Sequence, residues 1–106
     1  MIEVNLSFDF YRDINEDAYA AWAKKAIVPL LKSEGIIEFK AHRNLFGSPQ
    51  VRLISTWKSL SNWATFAESK EWAEILEDFA TNFATNISID AWGVSPIAPE
   101  PLRPSK

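Results

Sequence analysis

The chain has 106 residues, a formal net charge of −3, one histidine and no cysteine, and 47% of its residues are hydrophobic. That length makes one domain, and the missing cysteine excludes disulfides, thiolate chemistry and cysteine-ligated metals. The 11 basic residues are scattered along the sequence, whereas nucleic-acid binding needs a basic face.

The opening residues "MIEVNLSFDF" alternate strictly. Ile2, Val4, Leu6, Phe8 and Phe10 share one side, and Glu3, Asn5, Ser7 and Asp9 share the other. A period of two over this length is a strand with one face buried. The stretch has no basic region followed by a continuous apolar run, so it does not read as a signal peptide. No apolar run approaches membrane-spanning length, and a soluble cytoplasmic protein is expected.

The period then changes. Asp13 with Glu16 reads as an N-cap and its capping-box partner. Tyr19, Trp22, Ala23, Ala26, Ile27 and Leu30 form one helical stripe. Pro29 should kink this helix or end its regular bonding, and Gly35 is a natural C-terminal stop. Residues 36–45 and 50–57 read as a hairpin around "FGSP". Ser59 opens a short helix, and Ser69 opens a second one with Trp72, Ile75, Leu76, Phe79 and Phe83 as its stripe. "NISIDAW" is the last strand, with Ile87, Ile89 and Ala91 on one face. After it come Pro96, Pro99, Pro101 and Pro104, which suit an extended tail rather than a helix or central strand.

The order strand, helix, strand, strand, helix pair, strand predicts an α+β, ferredoxin-like βαββαβ domain over residues 1–94 and a Pro-rich tail over 95–106. β1 should be central, with one helix layer covering one sheet face. The other face then carries polar residues that include Asn5, His42, Arg52 and Asp90, together with Trp92. It reads either as a solvated surface or as a seam between two subunits.

The stretch "SEGIIEFKAHRN", continuing through "VRLISTWKSLSNWATFAESKEW", resembles the antibiotic biosynthesis monooxygenase family of dimeric α/β barrels. The shared features are Gly35 before the second strand, Trp57 ending the third, the helix-opening Ser59, the break at Ser69 and the aromatic Trp72. The resemblance spans Met1 to about Trp92. It implies a homodimer with two sheets facing each other, which favours the seam reading of the polar face, and a pocket between sheet and helices. It also makes a strap across the partner a reading of the tail, with Ile97 and Leu102 as anchors. Some members oxidise polycyclic phenols with O₂ and no cofactor, and others degrade haem. Where members often carry a histidine in the short helix, this chain has Phe66. Where haem degraders place an axial histidine, it has Leu76. Haem needs a proximal ligand, so no haem, other cofactor or metal is expected.

The candidate site follows from these readings. Trp57 and Trp72 read as core aromatics that could also face a ligand, while Trp63 and Phe66 read equally as core or as rings stacking on a flat molecule. Asn5 could donate to a ligand oxygen or developing oxyanion, His42 could act as a base near neutral pH, and Tyr11 could supply a phenol. Each also has a plain structural reading: Asn5 as a cross-strand polar residue, and His42 as a strand residue opposite Arg52 beside Glu38 or Asp90. Tyr19 reads first as helix core. No metal constellation, Gly-rich phosphate loop or Ser–His–Asp signature is present. The function expected is that of a cofactor-independent, monooxygenase-like protein acting on a small aromatic or phenolic compound. The alternative is a non-catalytic dimeric binding or structural module of the same fold.

Overall fold

The computed structural model describes residues 1–105. The strict alternation at the start forms β1 (Ile2–Phe10), followed by α1 (Glu16–Leu31), β2 (Ile36–Arg43), β3 (Val51–Trp57), α2 (Leu60–Ala67), α3 (Lys70–Asn82) and β4 (Ala84–Trp92). The strands make one antiparallel sheet in the order β2-β3-β1-β4. β1 is therefore central, and the chain has the α+β ferredoxin-like fold. From Gly93 to Ser105 no helix or strand forms. No helix among the described residues is long and apolar enough to cross a membrane.

Register fixes which residues share a face. Leu6 stands opposite Leu53 and Ile89, and Val4 opposite Ser55 and Ala91. These side chains belong to the helix-covered face. Asn5 stands opposite Ile54 and Asp90, Ser7 opposite Arg52, and His42 opposite Arg52. These mark the second face, which no helix covers.

Two apolar clusters fill the space under the helices. Leu6, Phe8, Phe79, Phe83 and Ala84 form one, and Val4, Trp57 and Phe66 the other. Trp72 packs against both and joins them.

Several local expectations are corrected. Asn15, not Asp13, caps α1: its backbone is extended and its side chain accepts from the Ala18 amide at 3.0 Å. Asx side chains satisfy orphan amides best from the residue immediately before the first turn, and Asp13 lies two positions too early. The helix also ends before Gly35, with Lys32 as its C-cap. Pro29 stays inside the helix. The last-turn carbonyls are taken up by Lys32 N–H on Val28 (3.2 Å), Ser33 N–H on Leu30 (3.1 Å) and the Ser33 hydroxyl on Pro29 (2.8 Å). Gly35 serves the following turn instead. Its φ is +88°, and a Cβ there would lie 2.3 Å from Asn62 Cγ. Only glycine allows both that conformation and that approach of α2. The last strand begins two residues earlier than "NISIDAW", at Ala84.

The far end of the sheet is tied by Asp9. Its carboxylate accepts from the Ser48 hydroxyl (2.6 Å), the Gln50 amide (2.9 Å) and the Asn86 side-chain amide (3.0 Å). Asn86 has φ 54° and sits where the β1–β4 register shifts, a conformation asparagine tolerates better than most residues. The hydrogen bonds from Ser48 and Asn86, then that from Gln50, hold the Asp9 carboxyl below the usual carboxylate range. A carboxylate with a depressed folded pKa contributes stability at pH above its unfolded value, and loses it as pH falls through the lower, folded value. Asp9→Asn should therefore lower stability at pH 7, and its gap to the parent should close as pH falls below about 4. Urea denaturation midpoints from pH 7 to pH 3 measure this, and parallel curves would contradict it.

Candidate functional site

The α1 stripe is apolar apart from the Tyr19 hydroxyl and the Trp22 indole N–H, yet α1 contains no fully buried residue. All six of its stripe residues instead border a cavity of about 200 Å³. The opposite wall comes from Leu6, Phe39, Ala41 and Leu53 on the sheet. Phe66 lines it from α2, and Trp72, Ile75, Leu76 and Phe79 form the α3 side. The chamber thus lies between the sheet and the helix layer. Two alanines in the α1 stripe, Ala23 and Ala26, leave space where larger residues would have reached the sheet.

The walls are held by aromatic contacts. Trp22 stacks on Phe79, with ring centroids 4.9 Å apart and planes 12° apart. Phe79 meets Phe8 edge-on at 4.6 Å. Tyr19 is packed edge-on against Phe10 at 4.9 Å and Phe83 at 5.6 Å. Such rings gain most from offset-stacked and edge-on geometry and do not collapse into a void.

No charged side chain lines the chamber, and Tyr19 is the one lining residue with a hydroxyl. Burial alone pushes its phenol up from the ordinary value. It therefore stays protonated at neutral pH and can act as a hydrogen-bond donor, not as a base.

The four aromatic candidates form one cluster with two roles. Trp57 is fully buried, and its indole N–H donates to the Ser55 hydroxyl at 2.9 Å. Trp63 packs against Trp57 at 5.7 Å and Trp72 at 5.6 Å. Neither Trp57 nor Trp63 lines the chamber, whereas Phe66 and Trp72 do. Leu76, the other position aligned with a family histidine, also lines it.

The polar candidates do not converge on it. Asn5 lies on the opposite sheet face, is 7% exposed, and its Oδ1 has no hydrogen-bond partner. His42 is on that same face, its Nδ1 3.4 Å from Arg52 Nη2. Neither Glu38 nor Asp90 comes within ion-pair distance of it; the ion pair among the described residues is Lys70–Glu74 at 3.9 Å. Tyr11 lies at the end of β1, its hydroxyl donating to the Ala80 carbonyl at 2.6 Å. Among the described residues, no three His, Asp or Glu side chains gather as metal ligands would. Sequence reading passed over Tyr19, Trp22, Ala23 and Ala26 as helix core. The available signal was the pair of small residues in an otherwise bulky inward stripe.

The chamber yields a stability prediction. Ala26→Leu would fill part of the void with matched apolar surface, raising stability by about 0.5–2 kcal/mol in urea denaturation. A destabilised variant would mean that the space is already filled.

No family model and no curated protein matches the sequence. Solved structures do match in three dimensions. A conserved protein from Methanosarcina mazei Go1 superposes with a TM-score of 0.73 at 18% identity, covering 86% of this chain and 89% of that one. A protein described as an antibiotic biosynthesis monooxygenase also gives 0.73, at 6% identity and covering 91% and 100%. A dimeric protein of unknown function and ferredoxin-like fold from Bacteroides fragilis NCTC 9343 gives 0.63, at 12% identity and covering 86% and 93%. This chain therefore has the ferredoxin-like fold found in solved structures described as antibiotic biosynthesis monooxygenases.

Proposed function

We propose that this chain binds a small, flat aromatic molecule in the chamber between α1, α3 and the sheet. The carrying observation is that the whole apolar stripe of α1 borders this chamber and none of it is fully buried. The chamber is partly open, so its apolar walls meet water in the free chain, and an aromatic guest would cover them. A purely apolar cavity of about 150 Å³ accommodates benzene in another protein, so one or two fused rings suit the roughly 200 Å³ here. A larger polycycle requires the wall to move.

A second reading adds chemistry: cofactor-independent oxygenation of that guest. It is favoured by Tyr19, a lining residue whose phenol stays unionised, and by structural neighbours described as antibiotic biosynthesis monooxygenases. With no base lining the chamber, electrons would come from the substrate's own ionisable phenol. For 1-naphthol, one atom of O₂ enters the ring as a carbonyl. The other leaves as water with two substrate hydrogens, giving the 1,4-quinone. Asn5, His42 and Tyr11 have no place in that step, because they lie away from the chamber.

We also propose that the polar sheet face is the seam of a homodimer. Asn5 is buried there with an unpartnered acceptor, an unfavourable state for a lone chain, and Trp92 on the same face is 60% exposed. Ile97 and Leu102 in the tail are 93% and 87% exposed, which suits anchors that pack on a partner.

Adding 1-naphthol should raise the melting temperature in a concentration-dependent way, and Ala26→Leu should abolish that rise. No shift at saturating naphthol would sink the binding reading. Under ¹⁸O₂, one labelled atom in naphthoquinone supports the oxygenation reading, and binding without turnover leaves the non-catalytic module. Light scattering should give twice the 12.0 kDa chain mass, and a single-chain mass would refute the seam.

A further inference from the structure

A groove between α1 and α3 shares Trp22, Ala26 and Ile75 with the chamber wall. Beyond these three, it is lined by Lys25 and Pro29 on α1 and by Glu71, Glu74 and Asp78 on α3. Three carboxylates thus face one ammonium. Lys70 reaches Glu74 from outside the groove at 3.9 Å, and the Asn82 amide holds Asp78 Oδ1 at 2.5 Å. Glu71 has neither kind of partner. Trp22 borders both spaces; with one face of its ring stacked on Phe79, the other is the face a nearby cation could meet.

We propose that the guest is an aromatic amine in its protonated form, with its ring in the chamber and its ammonium in the groove beside Trp22 and the α3 carboxylates. This rests on the reading that the chamber holds an aromatic ring. The chamber alone cannot choose between charge types, because its walls carry none. The groove can: a ring-bound carboxylate would meet Glu71, Glu74 and Asp78, whereas an ammonium one or two bonds from the ring would be attracted by them and by the face of Trp22. The carboxylates are exposed, so the preference should be modest and sensitive to salt.

Three isosteres separate the possibilities: 1-naphthylmethylamine, 1-naphthylmethanol and 1-naphthoate, titrated calorimetrically into the full chain. At low salt the amine should bind about five- to tenfold tighter than the alcohol, with the carboxylate weakest. In 0.5 M salt the amine's advantage should largely vanish. Glu71→Gln/Glu74→Gln, which alters only exposed side chains, should bring the amine-to-alcohol ratio close to one. An alcohol that binds as tightly as the amine at low salt overturns the charge assignment while leaving the aromatic chamber intact. A ratio unchanged in the double variant overturns the groove as its source. Failure of all three to bind overturns both this assignment and the chamber reading beneath it.

Discussion

Everything under the helices depends on how rigid aromatic rings pack on one face of a four-stranded sheet. Phe8, Phe79, Trp22 and Tyr19 meet edge-on, stacked or tilted, and Trp57, Trp63, Phe66 and Trp72 form a second such group. Aliphatic side chains adjust their rotamers to fill gaps, but rings hold fixed planes and span the space between elements. Where α1 presents Ala23 and Ala26 rather than long side chains, that scaffold keeps α1 from closing on the sheet, and the chamber is what remains. Trp72 belongs to the second group, packs against both core clusters and lines the chamber. It therefore couples the core that holds the fold to the wall that would touch a guest.

The sheet divides the molecule chemically. Its helix side is apolar and its only ionisable chamber group, Tyr19, is kept neutral by burial. Its other side carries Asn5, His42, Arg52 and Asp90, away from the chamber. A reaction in the chamber would have no acid–base pair and would rely on exclusion of water and on the reactivity of the guest. That constraint narrows the chemistry more sharply than any single residue does, and it explains why binding stands ahead of catalysis.

Much of this was readable from residue order. Alternation in β1 and the serines at 59 and 69 located their elements because period and capping are local properties. The fold followed from element order. What could not be read was contact across elements. Asp13 and Asn15 are both competent caps by type, and only the helix start decides between them. Pro29 lies two residues before the end of α1, so the one N–H it removes, toward the Lys25 carbonyl, falls in the last turns of the helix. Trp63 and Trp72 are both aromatic residues near the same break, yet only Trp72 reaches the chamber. Depth along a helix–sheet interface is not encoded in periodicity. The α1 stripe was visible as a stripe, but whether it packs or borders a void depends on how far the opposing rings reach.

The most direct test is methyl NMR with the isoleucine and leucine methyls labelled and 1-naphthol as the guest. The chamber account predicts nuclear Overhauser contacts from the naphthol ring to Leu6, Leu53, Ile75 and Leu76, with none to the exposed Leu45 or Leu102. Contacts confined to Leu45, Leu60 or Leu102, or unperturbed chamber methyls at saturating naphthol, would contradict it.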